Sequence, residues 1–140
     1  MQPHPTSAPP IALPRMAAGA LCLVLAGAAW AATPTDLLGA YATQARIEPQ
    51  AARGQQFFNQ LHGREWSCAS CHGAAPVAAG RHANTGKTIA PLAPAANAER
   101  FTDAARTEKW FRRNCNDVLG RECSAAEKAD VLAWLTQLKP

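Results

Sequence analysis

The most regular pattern along the chain lies near its end, where Val131, Trp134, Leu135 and Leu138 recur at i, i+3, i+4 and i+7 and Leu132 widens the apolar face. That spacing predicts an amphipathic helix, and Ser124 with Glu127 three residues on predicts the reciprocal cap that opens it. Upstream, Thr102 or Asp103 can cap a helix carrying Ala104, Ala105, Glu108, Trp110 and Phe111, expected to end near Asn114. Pro49 can open another, in which Ala52, Phe57, Phe58 and Leu61 fall near helical spacing until His62-Gly63 stops it. A weaker pattern runs from a Thr35 cap through Asp36, Leu37, Leu38, Tyr41 and Ala45. Alternating β-branched runs do not occur, so the expectation is all-α. The stretch from Ala74 to Pro94 holds Pro76, Gly80, Gly86, Pro91 and Pro94, and is expected to be an irregular loop. A loop of that length in a small helical domain needs something to wrap.

The beginning of the chain follows a different logic. A proline-rich run to Pro14 leads to Arg15, and an apolar stretch from Ala17 to Ala29 then ends in small residues before the polar Thr33-Pro34-Thr35-Asp36. This is the order of an export signal, too short for a comfortable membrane span. Ala29-Trp30-Ala31 suits cleavage after Ala31, giving a signal peptide at 1–31 and one domain at 32–140, with translation from Met16 as an alternative start. The expected location is the periplasm, with no permanent membrane anchor. About 109 residues remain, enough for one modest core.

Removing the leader changes the chemistry. Cys22 goes, leaving Cys68, Cys71, Cys115 and Cys123, and both methionines, Met1 and Met16, go with it. In oxidising surroundings each thiol should end in a covalent bond. Formal charge falls from +4 to +3 with Arg15 gone, a mild basic balance that favours an acidic partner. No Lys/Arg run forms a nucleic-acid stripe.

Cys68-Ala69-Ser70-Cys71-His72 is the attachment pattern for haem c. Two intervening residues put both sulfurs on one turn, within reach of the two vinyl groups of a porphyrin, and the following histidine is carried to the iron. A redox dithiol would want a preceding strand, which the sequence lacks; zinc would want a second ligand pair, and Cys115 with Cys123 suits a disulfide better.

The sixth iron position is open to several readings, since the mature chain has no methionine to offer. His62 stands only a few residues before the motif, where reaching the opposite haem face is strained. His82 lies in the proline-bounded loop and has the reach. A lysine or an amide is the remaining choice. Asn114 adjoins Cys115, although it also suits the end of a helix.

The run Thr85-Gly86-Lys87 to Ile89-Ala90-Pro91-Leu92-Ala93-Pro94, with Arg100-Phe101-Thr102-Asp103, Glu108-Lys109-Trp110, Arg113-Asn114-Cys115-Asn116 and Gly120-Arg121-Glu122-Cys123, closely resembles the sphaeroides haem protein (SHP) family of oxygen-binding class I cytochromes c. The resemblance covers nearly the whole mature chain. It implies a class I cytochrome c fold of a few helices wrapped around one covalent haem, with Asn114 as sixth ligand, Asn116 as the nearby alternative, and a Cys115–Cys123 bridge. A bridge of that loop size is worth ~2.5 kcal/mol in the chain-entropy model. Ala52, Gly54 and Phe58 resemble the helix that crosses the last one at Val131, Trp134 and Leu135. Pro91 resembles the proline whose carbonyl orients the proximal imidazole.

The resemblance further implies electron transfer, binding of O2, NO or CO when reduced, and a dihaem cytochrome c or other redox partner. Lys87, with Arg81, Arg112 and Arg113, is a candidate for propionate neutralisation or partner docking. Rival readings are a plain carrier with a permanently filled sixth site, and a nitric oxide dioxygenase or peroxidase-like enzyme, for which Asp117 is the one evident acid near Asn114.

Overall fold

The computed structural model describes residues 31–140. The expected export signal falls outside the described residues except for Ala31. Five helices and one small hairpin follow in order: α1 Pro34–Ala45, α2 Ala51–Asn59, α3 Ala69–His72, β1 Gly80–Arg81, β2 Thr88–Ile89, α4 Ala104–Leu119 and α5 Ala125–Leu135. Among the described residues no helix is long and apolar enough to cross a membrane.

The helix starts follow side-chain chemistry. α1 opens at Thr33 and not at Thr35, because Thr33 and Asp36 cap one another reciprocally and Pro34 takes the first helical position. Asp103 caps α4 by accepting from the Arg106 N–H at 2.8 Å. Ser124 and Glu127 form the expected reciprocal cap of α5. α4 differs from expectation at its far end: it continues past Asn114 to Leu119, and Gly120 closes it in a left-handed conformation at φ 71°. Asn114 therefore lies inside the helix, because the residue that can adopt the terminating turn cheaply stands six positions later.

Helix α5 is the organising element. Ala129 to Leu135 are all buried along it, and it packs against α1 on one side and α2 on the other. One cluster joins Leu37 and Tyr41 to Ala129 and Leu132; the second joins Phe58 to Val131, Trp134 and Leu135. Each large side chain so buried contributes ~1.5–3 kcal/mol. At the α2–α5 crossing Gly54 lies directly against the Asp130 carbonyl. Beside it, the Asp130 carboxylate accepts from the Gln50 N–H at 2.7 Å and from the Arg53 guanidinium. That pairing satisfies a residue only 4% exposed. Ala52, expected in this contact, faces solvent instead, and α2 ends at Asn59, so Leu61 is left 64% exposed.

The Ala74–Pro94 segment is not wholly irregular. Gly80 pairs with Ile89 and Arg81 with Thr88 in a two-residue antiparallel ladder. Gly80 permits it because any Cβ there would overlap the Cys71 carbonyl, and Gly86 turns the connecting loop at φ 66°.

The connection from α4 to α5 is braced by charge. Glu127 accepts from Arg121 at 2.6 and 2.8 Å and from the Ser124 N–H at 2.7 Å. The Arg121 guanidinium, helped by Ser124, holds the Glu127 carboxyl below its ordinary value of 4.5. A carboxyl with a depressed folded pKa stabilises above its unfolded pKa, and the contribution disappears as pH falls through the folded value. A Glu127→Gln variant keeps the cap geometry and should lose roughly 0.5 kcal/mol at neutral pH. In urea titrations the difference from the parent should shrink below pH 4.5; a gap that stays constant into acid would exclude this ion pair as its source.

Candidate haem site

The motif turn is built locally. Ser67 and Ser70 join through the Ser67 N–H at 3.0 Å and hydroxyl to hydroxyl at 3.2 Å, which starts α3. The backbone N–H groups of Cys71 and His72 return to the Cys68 carbonyl at 3.3 and 3.1 Å. Cys68 and Cys71 are thereby held on one turn as free, half-buried thiols. Burial pushes the Cys68 thiol up to about 11, so it is kept protonated. The Ala83 N–H of the hairpin loop reaches the Cys71 sulfur at 3.3 Å.

His72 is fixed from the core side. Its ring lies 6.1 Å from Phe58, whose own ring lies 5.0 Å from Trp134. The α2–α5 crossing therefore sets where the imidazole stands. Burial first, and the Arg100 charge second, lower its pKa to about 4. The neutral imidazole that results is the form that ligates a metal.

Arg100 is the residue the sequence reading did not single out as functional, though it belongs to the run that carries the family resemblance. It donates to the Pro91 carbonyl at 2.8 Å and to the Ala90 carbonyl at 2.6 Å. Pro91 also accepts from the Asn97 amide at 3.3 Å. The described hydrogen bonds to the Pro91 carbonyl thus come from Arg100 and Asn97. Arg100 is partly buried, and no carboxylate pairs with it among the described residues.

The residues present fit a haem. Two thiols on one turn suit its vinyl groups, the imidazole suits its iron, and the unneutralised Arg100 cation suits a propionate. The rival zinc site has no support, since no group of three or more His, Cys, Asp or Glu is gathered for a metal among the described residues.

The candidates for the sixth position are sorted by what they already bond. The His62 ring nitrogen meets the Phe57 carbonyl at 2.8 Å, and its ring lies 4.5 Å from that of Phe57. His82 accepts from the Thr85 N–H at 3.3 Å and its backbone closes the hairpin turn. Asn116 donates back to the Arg112 carbonyl at 2.9 Å on the exposed side of α4. Asn114 is half-buried and makes no side-chain hydrogen bond among those described. Next to it Cys115 is buried and paired with Cys123 across a Cα separation of 5.6 Å. One turn beyond Asn114, Asp117 lines a 440 Å³ cavity with Gly63, Arg64, Glu65 and Trp66, the segment that leads into the motif. Lys87, Arg81, Arg112 and Arg113 are all exposed.

Residues 44–135 match the family described as "Domain of unknown function (DUF1924)". Cytochrome c-type protein SHP of Cereibacter sphaeroides is 50% identical over 121 residues, which is 82% of this chain and 93% of that protein. The chain belongs to the SHP family of c-type cytochromes. It is accordingly a haem c protein with the helical cytochrome fold. The oxidised structure of SHP, described as an oxygen-binding cytochrome c, superimposes on this SHP-family chain with a TM-score of 0.70 at 49% identity, covering 75% of this chain and 96% of that one. The solution structure of cytochrome c'' from Methylophilus methylotrophus, described in terms of haem-ligand detachment, reaches 0.68 at 38% identity, covering 76% and 94%. The expected family and fold are thereby borne out.

Proposed function

We propose that this SHP-family chain is a periplasmic monohaem cytochrome that passes single electrons and, once reduced, releases Asn114 to bind a diatomic ligand such as O2, NO or CO. Cys68 and Cys71 would hold the haem by thioethers, His72 would ligate its iron, and Arg100 would neutralise a propionate. The haem supplies the one-electron couple and the ligand-binding position. Asn114 offers a neutral amide oxygen, a hard and weak donor better matched to ferric than to ferrous iron. With the haem reduced, the side chain would withdraw, and its NH2 group could donate a hydrogen bond to a bound diatomic ligand. The Cys115–Cys123 bridge limits how far it withdraws. Electrons come from an acidic redox protein, a dihaem cytochrome c by family resemblance.

The observation that carries this reading is that Asn114 lies inside α4, half-buried and unengaged, while His62, His82 and Asn116 are committed elsewhere. The relatives support it in their own descriptions, one as oxygen-binding and one as detaching a haem ligand.

The test compares the parent with Asn114→Ala and His82→Ala. Asn114→Ala should alter the oxidised absorption spectrum and raise the affinity of the oxidised protein for cyanide by about tenfold, because in that state a competing internal ligand is gone. His82→Ala should change neither. A parent whose ferrous form ignores CO would sink gas binding, and a spectrum moved by His82→Ala would sink the ligand assignment.

A further inference from the structure

Helix α4 carries the candidate sixth ligand, and two attachments of different kinds tie it to the rest of the fold. One is the Cys115–Cys123 bridge, immediately after Asn114. The other is Lys128, which reaches from α5 into the junction of α1 and α4. Its Nζ donates to the Glu108 carboxylate of α4 at 2.7 Å, and lies 5.3 Å from the ring of Tyr41 on α1 and 5.8 Å from the ring of Phe111 on α4. The two rings meet edge to face at 5.9 Å. The Lys128 side chain is only 12% exposed, so its cation is surrounded by one carboxylate and two aromatic faces instead of bulk water. A surface pair leaves both side chains free to swing, whereas here the lysine stem is packed and the pair joins two helices. This junction lies on the α1 side of α5, while the Cys68–His72 turn packs on the α2 side.

We propose that Lys128 is a positioning residue for the sixth iron ligand: by clamping Glu108 and Phe111 it fixes the direction of α4, and with it the fraction of oxidised protein in which Asn114 is on the iron. The inference rests on Asn114 as the ligand and adds what aims it. A disulfide pins a helix at one point and leaves it free to pivot there; a second attachment fixes its direction. Phe111 stands about 4.5 Å along the axis before Asn114, and Cys115 directly follows it, so Asn114 lies between the two. An amide oxygen is a weak donor, so the ligated and unligated populations lie close together and a small tilt of the helix redistributes them. Lysine is seldom buried to this degree without a specific partner. An apolar residue would fill the same space against Tyr41 and Phe111 without holding Glu108.

The experiment titrates cyanide into the oxidised holoprotein and reads the absorption spectrum. Lys128→Met keeps a packed apolar stem and removes the cation. It should raise the apparent cyanide affinity by about fivefold and move the oxidised spectrum toward that of Asn114→Ala. Glu108→Gln, which breaks the same pair from the α4 side, should raise it by about threefold, and Lys128→Arg, which keeps the charge, by less than about twofold. Added to Asn114→Ala, Lys128→Met should give no further gain, because it acts through the ligand already removed. Glu127→Gln weakens the neighbouring α5 ion pair, with Arg121, and should leave the affinity within about twofold of the parent. The inference is overturned if Lys128→Met and Glu108→Gln both behave like Glu127→Gln. It is overturned equally if Lys128→Met raises the affinity as much without Asn114 as with it, since the lysine would then be a general support of the fold. An oxidised spectrum left unchanged by Asn114→Ala alone would remove the ligand reading and this inference with it, and that single variant tells this failure from the other two.

Discussion

A Cys68→Ser, Cys71→Ser double variant is expected to carry no covalent haem. Serine hydroxyls do not form thioethers with vinyl groups, and the two sulfurs sit on the one turn that can meet both vinyls at once. Coordination alone does not survive denaturation. On a denaturing gel the parent should show haem-linked peroxidase stain at the mass of the chain, and the double variant none. The loss extends to stability. His72 is seated by Phe58 against Trp134, so axial ligation, which only the folded chain makes, is linked to the α2–α5 core, and losing it with the haem should cost about 3 kcal/mol or more. Haem stain that persists in the double variant would mean that attachment lies elsewhere.

The second large effect is expected at Gly54. A methyl there would overlap the Asp130 carbonyl and approach the Val131 nitrogen to 2.8 Å, and both obstacles are backbone. No rotamer change relieves such a clash; α2 and α5 must separate. Separation also pulls Asp130 from the Gln50 N–H and loosens Phe58 against Val131 and Trp134. Gly54→Ala should therefore destabilise by about 3 kcal/mol or more, measured in guanidinium. Because Phe58 seats His72, the haem spectrum should broaden before global unfolding. Gly39→Ala is the contrasting case. Nothing lies within 4 Å of a Cβ at Gly39, which is in α1, so the change should stabilise by roughly 0.5–1 kcal/mol. Equal effects at the two glycines would refute the close-approach argument.

Both predictions begin from features legible in the sequence to different degrees. The Cys68–His72 motif, the Ser124–Glu127 cap and the Val131–Leu135 face were readable because each is settled within one or two turns of backbone, where spacing alone fixes what meets what. The Gly54 and Phe58 pair was recognisable through resemblance, but its neighbour Ala52 was not separable from it, since a nine-residue helix offers too few turns to define a face.

Other expectations depended on competition between distant groups. That the Pro91 carbonyl accepts from a guanidinium and an amide follows from Arg100 and Asn97 folding back over it. Whether His82 is free to ligate is decided by the hairpin that engages its ring, and that hairpin exists because Gly80 can pass beside Cys71.

By itself, then, the sequence determined the chemistry that short-range covalent geometry controls: which sulfurs share a turn, which histidine follows them, where helices are capped, and which family the chain resembles. Only the tertiary structure decided that Asn114 lies inside α4 instead of ending it, that Arg100 is the cation beside His72, and that Leu61 turns outward. The physical reason is that a donor, an acceptor or an apolar face has many possible partners along a chain. Packing α1 and α2 against α5 removes all but one of them.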